Sequence, residues 1–426
     1  MKNSNTADEC GCPDFAVSRR SLLKTATAVG GAMAVTQMFG DSMMQASFAA
    51  ETGGSVLVVV SLRGGIDGLG VVVPHGDPGY YQVRPSTAVP AASLICKDPM
   101  FGLHPAMQPM AKYWQSGEFA AIQATGLPVV NRSHFSAIEE VEDAAPGSSA
   151  RSGWINRMVG LGGEADPMDA VQVGMDFPTT ALTGPAPTIS ARNLSVLQVP
   201  GLDGYVTQRY ESLETMWAGA RLPIANGAAQ AVRISKGPGK ALSTAPAPTV
   251  AYPTVWNAAP FVPPLKAAAQ LIKADVGTDV IAIDAGAWDL HANYGNVGGG
   301  NMTYNIDGFA QSLAAFLDDL GSLRQRVTVV TISEFGRRVS ENGSKGFDHG
   351  WGNMMLVAGA GVKGGQYYGN WPTLNAAALA EGDLKVTTDY RNVLGEIVAR
   401  RFPSRSVSQL FPDISYSPLG FMNPPA

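Results

Sequence analysis

Six short apolar runs punctuate the chain. They are SVLVVVSL (55–62), FAAIQAT (119–125), AVQVG (170–174), VIAIDAG (280–286), VTVVTIS (327–333) and MMLVAG (354–359). Each is continuous rather than alternating, the pattern of strands covered on both faces. Helical patterns lie between them. NIDGFAQSLAAFLDDLGSL (305–323) and DYRNVLGEIVARRF (389–402) each read as a helix, the first clearly amphipathic. A third helix is expected over Phe135–Val141, where Ser136 to Glu139 has capping-box spacing. Strands alternating with helices predict an α/β fold with a largely parallel sheet. The segment at about 185–265 breaks this rhythm. It is rich in Pro, Ala and Ser and holds one helical stretch, YVTQRYESLETMWAGAR, so it reads as an insertion or cap on the main sheet. STAPAPTVAYP (243–253) reads as a loop.

The N-terminus has a different grammar. Ser18-Arg19-Arg20-Ser21-Leu22-Leu23-Lys24 precedes a mildly apolar stretch, Thr25 to Val35, and then the small residues of ASFAAE. Basic, apolar and small, in that order, is the pattern of an export signal, and SRRSLLK resembles the twin-arginine type. Residues 1–50 are therefore expected to be a leader, with one domain over 51–426. The apolar stretch falls short of the roughly 20 residues that a membrane helix needs, and no later run is longer. The expectation is a protein delivered by the twin-arginine machinery to the periplasm, the cell surface or the medium, without a transmembrane anchor. The net charge of −5 and the lack of a basic run beyond the leader argue against nucleic acid as a partner. The cysteines are Cys10, Cys12 and Cys96. Only Cys96 lies beyond the leader, so neither an internal disulfide nor a cysteine-based zinc site is available there. A metal would have to be held by His, Asp and Glu.

In open parallel sheets the ligand site lies beyond the carboxyl ends of the strands. The first strand runs into Arg63-Gly64-Gly65-Ile66-Asp67, and the second leads to Arg132-Ser133-His134. VIAIDAG leads to Asp289 and His291, and VTVVTIS to Glu334 and then Asp348-His349. Three of these four strand ends thus carry an acid and three are followed by histidine, in a chain with five histidines. Imidazole with carboxylate suits zinc, manganese or iron, whereas carboxylates and water suit magnesium or calcium. Asp289, His291 and His349 are candidate ligands of one ion, and Asp67 and Glu334 could hold a second or orient the first set. Ser133, at a helix start, is a candidate nucleophile, with His134 beside it. Arg63 and Arg132 could hold a phosphate or sulfate. Bland readings compete with these. Asp67 could be a turn residue, Ser133 a cap, His134 a hydrogen-bonded structural histidine, and Glu334 the ion-pair partner of Arg337 or Arg338. His75 and His104 read as mostly structural.

Several motifs in order, VVVSLRGGIDGLGVVVPHGDPGYY, LHPAMQPMAKYWQSGEFAAIQATG, NRSHFSAIEEVE, GAWDLHANYG and TISEFGRRVSENGSKGFDHGWGN, together with the leader, resemble the domain-of-unknown-function family 1501. The resemblance implies an alkaline-phosphatase-like fold, a three-layer sandwich with a largely parallel central sheet and an inserted cap segment. In the wider phosphatase and sulfatase superfamily, Asp67 resembles the ligand after the first strand and Ser133 the nucleophile position. Asp289 and His291 resemble the later Asp and His ligands, and His349 the late histidine. Where those enzymes show an Asp-His pair after an apolar strand, this chain has Glu334-Phe335. That departure leaves open a one-metal enzyme or a fold that has lost the chemistry. The expected function is an exported hydrolase of a phosphate or sulfate ester that uses one or two divalent ions, zinc, manganese or magnesium. Its partner would be a small anionic ester. The alternative is a non-catalytic envelope protein of the same fold that binds a cell-envelope polymer or a partner protein.

Overall fold

The computed structural model describes residues 54–146, 151–163, 165–199, 201, 203–218 and 223–424. The expected leader at 1–50 lies outside the described residues. Among the described residues the six apolar runs become the strands β1 (Val56–Ser61), β2 (Phe119–Gly126), β3 (Ala170–Val173), β5 (Val280–Asp284), β6 (Val327–Ile332) and β7 (Asn353–Gly359), and three short strands that the pattern does not announce join them, β4 (Ile189–Ala191), β8 (Tyr367–Tyr368) and β9 (Thr388–Asp389). They form one nine-stranded sheet in the order β8-β2-β7-β6-β1-β5-β3-β4, with β9 also pairing β2. The pairs β1–β5, β1–β6, β3–β5, β3–β4, β8–β2 and β9–β2 are parallel. β7 is antiparallel to both of its neighbours, β2 and β6. The sheet is largely parallel, as the sequence predicts.

Both faces are covered, which explains the continuous apolar runs. Val56, Val58 and Val60 of β1 enter one hydrophobic cluster, and Leu57 and Val59 enter the other. The first cluster takes in helices α2 (Val262–Ala274) and α3 (Asn301–Leu320), through residues such as Leu265, Leu271, Phe309 and Phe316. The second takes in α1 (His134–Asp143) and α4 (Tyr390–Arg401), through Ala137, Val141, Val393 and Ile397. Helix, sheet and helix make the three layers.

Two expectations are corrected in detail. α1 starts at His134, so the capping-box spacing of Ser136 to Glu139 falls inside the helix. The entry is set instead by Asn131. Its side-chain oxygen accepts from the Ser133 amide at 3.1 Å, and its amide group donates to Ser136 Oγ and Glu140 Oε1, each at 3.0 Å. The Pro- and Ala-rich segment contributes β4 to the sheet edge, along with helices Val206–Trp217 and Pro223–Lys236. Its reading as a cap is a proposal. Among the described residues no helix is long and apolar enough to cross a membrane.

Register sets up one edge of the sheet. Ser61 pairs with Asp284 on one side and Ile332 on the other, so β1, β5 and β6 end level. Because β7 runs the other way, its amino end reaches the same edge, and the segment before it, carrying His349, arrives there too. Residues 336–338 and 348–351 lie antiparallel. Gly336 and Gly350 amides donate to Trp351 and Gly336 carbonyls at 2.9 Å, and the Arg338 amide to Asp348 at 3.0 Å. This fold-back lays His349 beside Arg337.

Candidate metal centre

Three loops converge at that edge. After β5 the side chain of Trp288 turns into the core, 1% exposed, against Phe261 and Phe309. That anchor leaves the next residue, Asp289, facing outward with its side chain 48% exposed. After β1 the turn at Gly64 (φ +109°) packs so closely on this loop that a Cβ would lie 2.6 Å from the Asp289 amide nitrogen. Only glycine fits there. After β6, Glu334 is buried at 3% exposure.

Asp289 is the hub. His291 Nε2 lies 3.0 Å from its Oδ1, His349 Nε2 lies 3.4 Å from Oδ1, and His134 Nε2 lies 3.6 Å from Oδ2. The His291 and His349 Nε2 atoms are 3.0 Å apart. One ligand atom from each of His134, Asp289 and His349 falls within 4.8 Å of the others. The three rings touch, with His134 and His349 centroids 4.3 Å apart and His291 and His349 4.7 Å apart. Ligand atoms roughly 2.0–2.1 Å from a shared tetrahedral ion sit about 3.3–3.4 Å from one another. The observed separations span that value, and the donor set of imidazole nitrogen and carboxylate oxygen suits a first-row divalent ion.

Each imidazole is held from behind. His134 Nδ1 meets Glu334 Oε1 at 2.7 Å, His291 Nδ1 meets Asp348 Oδ1 at 3.0 Å, and His349 Nδ1 meets the Arg132 carbonyl at 2.9 Å. Glu334 is itself fixed by the Gly64 amide at 2.8 Å and the Ser333 hydroxyl at 3.0 Å. Phe335 lies under the cluster, its ring 4.8 Å from both His134 and His349.

Arg337, 1% exposed at its side chain, stitches the loops together. It donates to Asp289 Oδ1 at 2.6 Å, to Gly65 O at 2.6 Å and to Phe347 O at 2.8 Å, and also to Gly64 O. Partial burial pushes the Asp289 carboxyl up, but the Arg337 hydrogen bond and charge outweigh it and hold it below the usual range. Burial holds His349 below the ordinary histidine value, against the Arg132 carbonyl, which raises it. Hydrogen bonds from His291 and Asn342 keep Asp348 low.

The structure brings together Asp289, His291, His349, His134 and Glu334. Asp67 is elsewhere. It is 3% exposed, and both of its oxygens are taken, by Arg84 at 2.6 and 2.9 Å and by the Tyr294 hydroxyl at 2.6 Å. Arg63 is tied to Glu142 and, at 3.1 Å, to Asp284, so it is not an open anion contact. Arg132 donates to Asp383 at 2.9 and 2.5 Å, with its side chain 30% exposed. Ser133 is the exposed N-cap residue of α1, and its side chain makes no capping bond. The ion-pair reading of Glu334 with Arg337 or Arg338 is replaced. Arg337 pairs with Asp289, and Arg338 with Asp383 at 3.3 Å. Sequence reasoning missed Arg337 as a site residue, because an arginine in a polar loop carries no signal of the loops it will bind. Asp348, which the sequence places beside His349, gains its role only from its contact with His291.

The chain belongs to the family described as Protein of unknown function (DUF1501), which matches residues 121–401. No curated protein matches the sequence. Solved structures that it resembles include a sulfatase from Pseudoalteromonas sp. (12% identity, TM-score 0.33, 81% of this chain and 68% of that one). Two others are the C-terminal periplasmic domain of EptC from Escherichia coli (9%, 0.30, 74% and 76%) and the lipoteichoic acid synthase LtaP from Listeria monocytogenes (9%, 0.27, 84% and 80%). These overlaps are too loose to carry a site or a reaction across.

Proposed function

We propose that this member of the DUF1501 family is an exported, metal-dependent hydrolase of a phosphate or sulfate ester. One observation carries the reading: imidazole nitrogens from three separate loops face a single, half-exposed carboxylate at the carboxyl edge of the sheet. Asp289, His291 and His349 would hold a divalent ion. Such an ion supplies Lewis acidity to the ester. The chain's own residues would do the rest. Ser133 offers an exposed hydroxyl at the start of α1, where the free amides and the helix dipole favour an anion. Arg132, partly exposed although paired with Asp383, would contact the anionic group. Arg337 holds Asp289 in place and keeps it ionised.

A second reading has an observation of its own. Asp67 is consumed by Arg84 and Tyr294, and Phe335 puts a ring that cannot ligate where the wider superfamily shows a histidine, so no ligand set for a second ion assembles around them. That favours either a one-ion enzyme or a non-catalytic protein that binds an envelope polymer. In both readings the twin-arginine machinery would deliver it beyond the cytoplasm.

Metal analysis of the purified, folded protein separates the two. The hydrolase reading expects stoichiometric metal and turnover of at least one member of a panel of aryl phosphates, phosphodiesters and aryl sulfates. Asp289→Asn and His349→Ala should each abolish that turnover. Absence of metal, with a melting temperature indifferent to chelator, overturns it.

A further inference from the structure

We infer that His134 is a third imidazole ligand, that Glu334 is the outer carboxylate that aims it rather than a ligand itself, and that the site is built for one zinc-class ion. The inference rests on the metal reading of the same cluster but not on hydrolysis.

The argument starts from hydrogen-bond capacity. A neutral imidazole has one N–H and one lone pair. The Nδ1 of each of the three rings faces an acceptor: the Glu334 carboxylate, the Asp348 carboxylate or the Arg132 carbonyl. Each Nδ1 must therefore carry the proton, and each Nε2 presents a bare lone pair. All three lone pairs then point at the Asp289 carboxylate, an acceptor, from 3.0 to 3.6 Å. Two of them face each other at 3.0 Å. Acceptors do not gather round an acceptor unless a cation lies between them. Arg337 serves only part of the set, reaching Asp289 Oδ1 at 2.6 Å and His291 Nε2 at 3.4 Å. His134 Nε2 is buried without any hydrogen-bond partner.

Of the two parts expected of Glu334, holding a second ion or orienting the first ligand set, its contacts favour the second. Oε1 is shared between His134 Nδ1 and the Gly64 amide, Oε2 accepts from Ser333, and the side chain is 1% exposed. Oε1, the oxygen nearer the cluster, is thus already engaged by two donors. A carboxylate behind a histidine is instead the usual outer partner of a metal-bound imidazole, where it fixes the tautomer and raises ligand basicity. Phe335 then has a simple place. It packs against both His134 and His349 and holds the rings in position by contact. Three nitrogens and one carboxylate form a borderline-soft set, which selects zinc or cobalt over magnesium and calcium.

The test uses the folded full-length protein and zinc competed against a chromogenic chelator, with no substrate present. Wild type should bind one zinc per chain, and excess magnesium should not displace it. Glu334→Gln should weaken zinc by roughly 10–100-fold, as loss of an outer partner does, and His134→Ala and His134→Gln by at least as much. Glu334→Asp, which keeps the charge, should recover part of the loss. In metal-free protein labelled with [15N]histidine, His134, His291 and His349 should show the Nδ1-protonated tautomer, and zinc should shift the Nε2 signals of all three. Unaltered zinc affinity in both His134 variants, with full loss in Asp289→Asn, overturns the inference. So does a stability loss in Glu334→Gln with zinc affinity intact, or an imidazolium signal in place of the expected tautomer. A protein that binds zinc as stated but hydrolyses no ester sinks only the hydrolase reading.

Discussion

Asp67 and Asp289 start from the same kind of sequence, an acid in the loop that follows an apolar strand at the centre of the sheet, yet the fold treats them oppositely. Asp67 is 3% exposed, and Arg84, Tyr294 and the backbone around them close a network with no free oxygen. The Arg84 guanidinium sits 4.1 Å from the Phe347 ring and also donates to the Val339 carbonyl at 3.0 Å. Asp289 is 48% exposed, accepts from Arg337, and faces three imidazole nitrogens, of which His134 Nε2 has no hydrogen-bond partner. A satisfied network joins elements; an unsatisfied one, facing solvent, waits for a ligand. Hydrogen-bond accounting separates the two acids where residue type cannot.

That contrast is easiest to break by mutation. Asp67→Ala leaves Arg84 buried and unpaired, which costs about 3–5 kcal/mol. It should lower the denaturant midpoint sharply, or prevent folding, while any folded fraction keeps its zinc affinity. Asp289→Asn removes the charge beside buried Arg337 but keeps an oxygen for its hydrogen bond and leaves the Gly64, Gly65 and Phe347 carbonyls on the guanidinium, so its stability cost should be about 1–3 kcal/mol, below that of Asp67→Ala, while zinc binding is lost. Equilibrium unfolding and zinc titration on both variants check the pair. If Asp289→Asn proves the more destabilising, or Asp67→Ala the one that loses zinc, the division is wrong.

The same accounting applies to a buried histidine. His104 is 2% exposed, starts a short 3₁₀ turn at Pro105–Met110, and accepts from the Ala106 amide at 3.1 Å. Burial lowers its pKa to about 4. A histidine free in the unfolded chain takes up its proton near pH 6.5. Between those values the unfolded state binds the extra proton, so stability falls as pH falls through that window, by up to roughly 3 kcal/mol, and levels off below it. At neutral pH the penalty is absent. His104→Asn keeps a short side-chain acceptor and should flatten the unfolding free energy between pH 7 and 4. A slope as steep as wild type would show that other groups carry the acid sensitivity.

Much of the fold can be read from the chain because the strands carry their own signal. The run at 55–62 becomes Val56–Ser61, that at 327–333 becomes Val327–Ile332, and that at 119–125 becomes Phe119–Gly126. The antiparallel course of β7 is not legible, since a strand buried on both faces looks the same in either direction. It nevertheless decides where His349 arrives. The candidate site is legible as a list of residues and not as a set of roles. Glu334 reads as a ligand of a second ion, as a group that orients the first ligand set, or as an arginine's partner. It became the support of His134, a residue 200 positions away, through a contact that no local spacing encodes. Arg337 binds carbonyls of two other loops, and backbone acceptors leave no mark on a sequence.

The mildest test compares two carboxylates that do the same job under different cover. Glu334 stands behind His134 with a 1% exposed side chain, and Asp348 stands behind His291 with a 60% exposed one. Water and salt screen the outer pair, and exposed pairs of this kind contribute about 0.2–1 kcal/mol. Asp348→Asn should therefore weaken zinc by no more than about 5-fold, with stability unchanged and the loss smaller still at high salt. Glu334→Gln should exceed it by an order of magnitude and ignore salt, because no solvent reaches that carboxylate. Equal losses in the two variants would mean that burial does not govern how strongly an outer partner aims its histidine. The reverse order would mean that His291, and not His134, is the imidazole whose aim the site depends on.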